Sequence, residues 1–308
     1  MNPESVESQN ETVKVFTEVN YIPGQENKAA FLPILENLPM KHAFTFGSKA
    51  GNMSPVYAGE EATVVVRERI RSFLEDNGMD TENVANTTGA FDGTHLQMQE
   101  LVLEDLTEHP ETKIKANFVF TRDPRITLSI RPGDCNVSIL YAKDRMGRDI
   151  VGLIHSSAQS ANAGLPRYAI QHLLNEEDVD VSTIRIGITP GISKKHYAIS
   201  QDEQLITKKN PDGEETKEIV SRPEIVVKNW KEHIDPPLTD DPSEQRPVDI
   251  LGATIMQFVE EGIKPDQIQA YDIDTWEAAA KGESYSNRYA AQLKRPQGRY
   301  MIAVQLKS

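Results

Sequence analysis

The sequence predicts a single mixed α/β domain of the α+β class, and three observations favour it. Segments with strand character recur from Val13 to Leu306 without an intervening linker. The middle of the chain is rich in short apolar runs, whereas longer segments with helical spacing of apolar residues lie before and after it. The 308 residues contain no internal repeat and no low-complexity block. This length fits one large or two ordinary domains, and the continuous β pattern favours one.

Two long segments have the periodicity of amphipathic helices. In residues 60–77 the apolar positions recur near helical spacing, and Gly78 supplies a stop. Residues 248–262 show the same pattern and also end in glycine. A shorter helix is predicted over 28–37, and the small-residue segment after His155 leads into another.

The predicted strands are short, and in each of them apolar and polar residues alternate or the whole run is apolar. They cover residues 13–20, 42–47, 117–121, 126–130, 137–142, 149–155, 183–188 and 299–306. The polar sequence KDRMGR separates the fifth from the sixth, which predicts a β-hairpin. Residues 201–222 contain Asn-Pro-Asp-Gly between two β-prone segments and are predicted to form a surface hairpin insertion. Residues 1–12 are polar, and we expect them to be flexible.

The charge of the chain disfavours several classes of partner. Lys and Arg number 33 against 47 Asp and Glu, so the formal net charge is −14, and the isoelectric point is about 5.0. Because affinity for nucleic acid and for anionic membranes depends mainly on Lys and Arg, we expect neither partner. The sequence has no signal-peptide pattern and no apolar run long enough to cross a membrane, so we expect a cytoplasmic protein. An enzyme that uses phosphate would need a local basic pocket.

The single cysteine limits the metal and redox chemistry. A disulfide framework needs paired cysteines, and cysteine-rich zinc or iron–sulfur sites need several. Cys135 begins a predicted strand, and His155 ends the next strand of the predicted hairpin. In an antiparallel pair the start of one strand lies beside the end of the next, which brings the two side chains within reach of one metal ion. His95 can join them only through the tertiary fold.

Two imidazoles and one thiolate would give zinc three ligands and leave a fourth tetrahedral position for water or substrate. The sequence contains no compact His-x-x-x-His or Cys-x-x-Cys spacing to support such a site. The alternative is a buried structural cysteine with two ordinary histidines, and spacing alone favours that alternative.

Several motifs occur in a recognisable order. The turn Gly133-Asp134-Cys135 and a strand pair precede HSSAQS at 155–160, and GTHL at 93–96 and FGSKAGNMS at 46–54 lie upstream. GITPGISKKHYAI, ESYSNR and GRYMIAVQL follow downstream. This arrangement resembles the bacterial laccase-domain family, also called multicopper polyphenol oxidase-like. That family shows Gln-Val-His-Gly, Ala-Asp-Cys and His-Ala-Gly-Trp-Arg-Gly at the corresponding places.

The resemblance extends in order from about Lys41 to Leu306 and has implications for fold and function. It implies a layered α-β-β-α arrangement of mixed β-sheets in one domain covering residues 13–308. Members of the family include purine nucleoside phosphorylases with adenosine deaminase and methylthioadenosine phosphorylase activity. The family's zinc ligands correspond to His95, Cys135 and His155. Zinc is favoured over copper, because a multicopper site needs many clustered histidines and the seven here are scattered.

The resemblance also implies small-molecule partners, a purine nucleoside and phosphate, and we expect a monomer or homodimer. The family's Trp-Arg pair is replaced by Ala158-Gln159, and its loop arginine appears as Lys49. Since planar arginine clamps anions best, both changes weaken a phosphate site. The residues expected to bind substrate or phosphate are Ser48, Lys49, Arg131, Gln159 and Arg288.

Each of these residues also has a structural interpretation. Lys49 and Arg288 taken singly are better interpreted as solvated charges, and a loop serine such as Ser48 usually caps or turns. Asp134 is the candidate catalytic residue, and a hydrogen bond to backbone within its turn is an equally weighted alternative. Tyr197 and Tyr285 are candidates for stacking on a purine, with core packing as the alternative. The remaining histidines are expected to be structural or exposed: His42, His109, His172, His196 and His233.

The leading hypothesis is therefore a zinc-dependent purine nucleoside phosphorylase acting on adenosine, inosine or guanosine. Adenosine deamination and methylthioadenosine phosphorolysis are its further reactions. The missing Trp-Arg pair motivates a second hypothesis, a diverged family member that binds metal or nucleoside without turnover. Copper-dependent polyphenol oxidation and a Cys135–His155 thiol hydrolase are the remaining alternatives.

Overall fold

The computed structural model describes residues 12–57, 60–89, 96–108, 114–199, 204–209, 215–220, 246–295 and 297–308. Several predicted features therefore lie wholly or partly outside the described residues. They are the polar N-terminus up to residue 11, the predicted ligand His95, parts of the predicted insertion at 201–222, and His109 and His233. Within the described ranges, no helix has both the length and the apolar character that a membrane span requires.

A seven-stranded mixed sheet forms one half of the described fold, with the strand order β1-β16-β11-β9-β10-β7-β5. Its strands are β1 (Lys14–Phe16), β5 (Met98–Glu100), β7 (Phe118–Thr121), β9 (Asn136–Lys143), β10 (Asp149–Ser156), β11 (Arg185–Ile188) and β16 (Ile268–Tyr271). The antiparallel pair β9–β10 is its centre and confirms the predicted hairpin around KDRMGR. Parallel pairing of β16 with β1 and β11 makes the sheet mixed.

A six-stranded mixed sheet forms the other half, in the order β2-β3-β17-β8-β4-β6. Its strands are β2 (Ala29–Ala30), β3 (Met40–Thr45), β4 (Val84–Thr88), β6 (Ile114–Lys115), β8 (Thr127–Ile130) and β17 (Ile302–Leu306). The last strand of the chain lies between β3 and β8 and is antiparallel to both. The C-terminal segment therefore completes the interior of this sheet.

The described residues contain seven α-helices. They are α1 (Glu60–Asp76), α2 (Leu103–Glu108), α3 (Ala158–Asn162), α4 (Leu165–Asn175), α5 (Ile250–Glu260), α6 (Thr275–Ala280) and α7 (Asn287–Gln292). Asp249 caps α5 by accepting a hydrogen bond from the Gly252 amide, as acidic N-cap residues do. The long helices predicted over 60–77 and 248–262 are both confirmed, each with slightly shorter bounds.

The hydrophobic clusters reveal four layers. Alternate residues of β9 and β10, such as Val137 and Leu153, pack against residues of the second sheet such as Leu128 and Val304. The opposite face of the first sheet is covered by α4 and α5, and the outer face of the second is covered by Phe73 and Leu74 of α1. The predicted α-β-β-α arrangement in one domain is therefore confirmed.

Two short strand pairs lie outside the sheets. β12 (Ala198–Ile199) pairs with β15 (Arg246–Pro247), and β13 (Gln204–Lys209) pairs antiparallel with β14 (Glu215–Val220). The second pair falls within the stretch 201–222 for which a hairpin is predicted.

The helix predicted over 28–37 is wrong. Ala29 and Ala30 pair with β3 as a strand, and Pro33–Leu35 forms only one 3-10 turn. Proline disfavours helical backbone at the residue before it, which is Leu32. The Leu32 amide instead donates to Nε2 of His42 at 3.0 Å. Tertiary partners therefore take the backbone donors that a helix would use.

Candidate functional site

Cys135 and His155 lie on the same face of the first sheet. His155 is paired with Val137 across the β9–β10 ladder, and Cys135 precedes Val137 by two residues. Because side chains alternate along a strand, Cys135 and His155 are diagonal neighbours on the face that carries Val137. That face packs toward the second sheet. The predicted antiparallel pairing of the two strands is therefore confirmed, whereas a shared metal ion at the two residues stays a prediction.

Both side chains line one cavity of about 290 Å³ at the edge of the core between the two sheets. The second sheet contributes to it through the end of β4 and through Ile130 at the end of β8. The other lining residues are Ser54, Val56, Asn86, Thr87, Thr88, Gly89, Arg131, Pro132, Gly133, Asn287 and Arg299. The cavity therefore depends on the packing of the two sheets, which no local sequence pattern specifies.

Gly89 packs closely against the imidazole ring of His155. A Cβ atom added to Gly89 would lie 2.3 Å from Nδ1 and 2.7 Å from Cε1 of His155. Within the described ranges, the imidazole makes no hydrogen bond to another side chain or to backbone. Burial lowers the pKa of His155 to about 4, so the ring is neutral at neutral pH. A neutral imidazole with a free ring nitrogen is the form that binds a metal ion.

Cys135 is half-buried. Burial, with a contribution from the charge of Asp134, raises the pKa of its thiol to about 12, and Arg299 opposes the shift. Reactive cysteine nucleophiles have lowered pKa values, so these surroundings argue against a thiol hydrolase. A bound metal ion would displace the thiol proton, because thiols coordinate as thiolates.

The sulfur and nitrogen donors of Cys135 and His155 fit zinc, which accepts thiolate and imidazole ligands. The predicted third ligand, His95, lies outside the described residues. The structure thus brings two of the three predicted ligands into one cavity. The place of His95 stays a prediction.

Two guanidinium groups line the same cavity. The Nε atom of Arg131 is buried and has no hydrogen-bond partner in the described structure. Burial lowers the pKa of Arg131 to about 10, which still leaves the group charged at neutral pH. Arg299 donates through Nη1 to the Asn287 side chain and to the Gly298 carbonyl. No Asp or Glu occurs among the described lining residues, so the cavity is locally basic in an acidic protein.

Arg299 and Tyr300 are residues that sequence reasoning missed. The Tyr300 hydroxyl lies 3.1 Å from the Cys135 carbonyl oxygen and 2.8 Å from that of Pro190, so it positions the turn that carries the cysteine. Both residues precede the C-terminal strand β17. Their sequence, GRYMIA, indicated only a strand.

Asp134 joins its turn to neighbouring helices. Its Oδ1 accepts a hydrogen bond from the Thr275 hydroxyl, and its Oδ2 accepts one from the Arg288 amide, both at 2.9 Å. These bonds join the cysteine turn to α6 and α7. Both bonds lead out of the turn, so among the described residues the carboxylate holds neighbouring helices instead of the backbone of its own turn, and a catalytic role for Asp134 stays a prediction.

The other predicted substrate residues do not line the Cys135–His155 cavity. The Arg288 guanidinium lies 4.5 Å from the centre of the Tyr197 ring. Ser48 lines a second cavity of about 250 Å³ together with Tyr285. Lys49 and Gln159 are exposed, the first in a loop and the second on α3. Among the predicted substrate-binding residues, only Arg131 thus shares the cavity of the predicted ligands.

A second group of metal-ligating side chains lies elsewhere. Nδ1 of His196 lies 2.7 Å from Oδ2 of Asp274, and Glu277 completes a set whose ligand atoms all lie within 4.8 Å of one another. The sequence alone predicts His196 to be structural or exposed. The histidine and the aspartate are 78 residues apart, so no local motif could have indicated the group.

Comparison with known proteins adds a family match over most of the chain. Residues 51–307 match the model of the multi-copper polyphenol oxidoreductase laccase family. This chain belongs to that laccase family. The predicted resemblance is therefore confirmed. No curated protein matches this laccase-family chain.

Solved structures show the same fold. The hypothetical protein YfiH from Bacillus licheniformis is 17% identical to this chain and superimposes with a TM-score of 0.66. The match covers 91% of this chain and 97% of the YfiH chain. YlmD from Geobacillus stearothermophilus is 16% identical with coverages of 88% and 93% and a TM-score of 0.60. Protein NMB0706 from Neisseria meningitidis is 13% identical with coverages of 88% and 96% and a TM-score of 0.59. At these identities the likeness shows the laccase-family fold alone.

The histidines of the described laccase-family structure do not form a multicopper cluster. His42 lies in β3, His155 in β10, His172 in α4 and His196 in the loop after β11. The group of three metal-ligating side chains found among the described residues contains one histidine. Multicopper centres need many more imidazoles close together.

Proposed function

We propose that this laccase-family protein is a zinc-dependent purine nucleoside phosphorylase. The observation that carries the proposal is one cavity that combines Cys135, His155 and Arg131 and has no acidic side chain among its described lining residues. Soft donors suit zinc, and a guanidinium suits a phosphate dianion. Its volume of about 290 Å³ lies near the lower end of the range typical of small-molecule sites.

In the proposed reaction a phosphate oxygen forms a bond to the anomeric carbon of the ribose. The bond from that carbon to the base nitrogen breaks, and the base leaves with the electron pair and takes up the proton of the hydrogen phosphate dianion. The products are ribose 1-phosphate and the free purine. When bound, zinc supplies Lewis-acid polarisation of a substrate atom or a water of lowered pKa, and the latter is what deamination of adenosine needs.

The chain's own residues bind and orient the reactants. Arg131 lines the cavity with a guanidinium whose buried Nε has no hydrogen-bond partner in the described structure, and it would hold phosphate there. Arg299 adds positive charge from the segment that precedes β17. His155 is neutral at physiological pH and acts as a ligand rather than a proton donor. Asp134 fixes the cysteine turn through Thr275 and Arg288. These roles would replace the anion clamp that the family's Trp-Arg pair supplies.

The test is a turnover assay with the zinc-loaded protein. Adenosine, inosine, guanosine and methylthioadenosine are incubated with and without phosphate, and the free base is measured. We expect phosphate-dependent release of base, which His155→Ala abolishes together with tightly bound zinc. His172→Gln is the matched control, because His172 lies on α4 beside Glu177 and away from the cavity. Zinc-loaded protein that releases no base, with or without phosphate, would refute the proposal.

A non-catalytic family member is the second candidate, and one observation favours it. Gln159 stands where the family has arginine and is exposed on α3, so it adds no anion-binding group to the cavity. Calorimetric titration with inosine separates the two candidates. Binding of inosine without turnover supports the non-catalytic candidate.

A further inference from the structure

The group formed by His196, Asp274 and Glu277 lies outside the cavity of Cys135 and His155. His196 belongs to the loop between β11 and β12, Asp274 is the N-cap of α6, and Glu277 lies in the first turn of that helix. The loop and the helix are joined here by the contact between His196 Nδ1 and Asp274 Oδ2. This cluster therefore bridges two segments that are far apart in sequence.

The donor atoms are divided between helix capping and the cluster. Asp274 Oδ1 accepts a hydrogen bond from the Trp276 amide at 2.8 Å and so caps α6. Asp274 Oδ2 faces His196 and also accepts from the Ser193 hydroxyl. Asp274 and Glu277 thus each contribute at least one carboxylate oxygen to the cluster. The Asp274 side chain is only 8% exposed, so its charge is largely removed from water.

The imidazole of His196 is held in a fixed orientation. Its ring stacks on the Trp276 indole with centroids 4.1 Å apart and an angle of 7° between the planes. Trp276 is held in turn by a 2.9 Å hydrogen bond from its Nε1 to Gln292. A ligand whose ring is fixed by packing loses little entropy when it binds an ion.

A lysine ammonium contacts one carboxylate of the cluster. Lys195 contacts Glu277, and its side chain is 70% exposed. The ammonium is a flexible, monovalent cation, and it can swing into solvent at little cost. A cation is therefore already attracted to this position, and a divalent ion would compete with Lys195 for Glu277.

We propose that His196, Asp274 and Glu277 form a second divalent-cation site that takes zinc or a similar transition-metal ion. One imidazole nitrogen and two carboxylate oxygens are a donor set that zinc accepts, and the Ser193 hydroxyl or water completes the coordination. The ion links the loop of His196 to α6. The set contains no sulfur, which distinguishes it from the cavity of Cys135. The inference does not depend on the proposed phosphorylase activity.

The stacked indole makes the site observable. A Co²⁺ or Cu²⁺ ion bound to His196 would lie next to the Trp276 ring and quench its fluorescence. The titration uses the full-length Cys135→Ser variant, in which the first site has lost its thiolate. We expect saturable quenching, and in Trp276→Phe, which leaves Trp230 as the only tryptophan, we expect that component to disappear.

Substitutions in the cluster separate a metal site from a hydrogen-bonded pair. We expect His196→Ala and Glu277→Gln each to lower the affinity of the cluster for the ion by roughly tenfold or more, since each substitution removes a ligand. Lys195→Met should strengthen binding, because it removes the competing ammonium. Asp272→Asn is the matched control, as Asp272 is an exposed carboxylate two residues before Asp274. It should leave the affinity unchanged.

Zinc analysis by mass spectrometry gives a second readout. The wild-type protein should retain more zinc than Cys135→Ser, and the zinc left in Cys135→Ser should be lost in Cys135→Ser/His196→Ala. Circular dichroism establishes that each variant is folded, and the surface changes Glu277→Gln and Lys195→Met leave the core untouched. Absence of saturable quenching in folded Cys135→Ser, or an unchanged affinity in folded Glu277→Gln, would overturn the proposal.

Discussion

Gly89 and His155 approach so closely that a single added methyl group would collide with the imidazole, because a Cβ on Gly89 would lie 2.3 Å from Nδ1. Gly89 follows β4 of one sheet, and His155 lies in β10 of the other. The contact therefore fixes the ring across the gap between the two sheets. It also indicates why glycine occupies position 89.

Gly89→Ala is predicted to weaken metal binding at Cys135 and His155. The methyl group would displace the ring, and we expect the zinc affinity to fall by roughly tenfold or more, as when the orientation of a ligand is disturbed. Competition with a chelator measures the effect. Gly262→Ala is the control, since Gly262 has a φ of 86° and an added Cβ there meets no atom within 4 Å. That change should destabilise the fold without changing metal content.

Arg131→Lys is predicted to raise the KM for phosphate by roughly tenfold, because a lysine loses the bidentate geometry of a buried guanidinium. The KM for the nucleoside should change little. Steady-state kinetics with varied phosphate measures the difference. Arg71→Lys, on the exposed surface of α1, is the control. Equal effects of the two substitutions would show that Arg131 does not hold the phosphate.

Asp134→Asn and Thr275→Val are predicted to act alike. Asp134 Oδ1 accepts from the Thr275 hydroxyl, and the other oxygen accepts from the Arg288 amide. Removing either partner should lower the free energy of unfolding by about 1–2 kcal/mol. We expect similar losses of kcat in the two variants, because both disturb the turn of Cys135. A loss of about a hundredfold or more in Asp134→Asn alone would instead support proton transfer by Asp134.

Acid is predicted to destabilise the protein through His42. Burial lowers the pKa of this histidine from 6.5 to about 4, although its hydrogen bond to the Leu32 backbone opposes the shift. Between these values the unfolded chain binds the proton more readily. The contribution of His42 to the free energy of unfolding is therefore complete above pH 6.5 and is lost as the pH falls toward 4. From pH 7 to pH 5 this group alone should lower the free energy of unfolding by about 2 kcal/mol.

Urea unfolding at several pH values measures that dependence. His42→Gln is the informative variant, because an amide can accept from the Leu32 amide and donate to the Leu32 carbonyl, the two backbone groups within 3.1 Å of Nε2. The variant should show a smaller loss of stability between pH 7 and pH 5. Parallel pH profiles for variant and wild type would contradict the assignment to His42.

Much of the fold could be predicted because strand and helix patterns are local. The hairpin of β9 and β10 was predicted from two apolar runs around a polar turn, and its register places His155 and Cys135 on one face. The helix predicted over 28–37 failed because Ala29 pairs with Thr45 of β3. Propensity cannot indicate such a long-range partner. The short strand β4 was missed because only two of the five residues in its sequence, VANTT, are apolar.

The site could be predicted only in part. Cys135, His155 and Arg131 lie within one stretch of sequence, and the structure places all three on one cavity. Gly89 and Arg299 also line it and were not predicted, since they come from distant segments that meet when the sheets pack. Ser48 and Arg288 were predicted from motif resemblance, but neither lines this cavity. Ser48 lines a second cavity, and Arg288 contacts Tyr197.

The sequence by itself determined the available chemistry. It contains one thiol, so a metal site built on a thiolate must use Cys135, and its net charge of −14 means that an anion must bind in a local pocket. Only the tertiary structure decided which groups meet. It placed Arg131 and Arg299 together without a carboxylate among the described lining residues, and it joined His196 to Asp274. The physical reason is that periodicity fixes the face a side chain occupies, whereas face-to-face packing of two sheets fixes its neighbours.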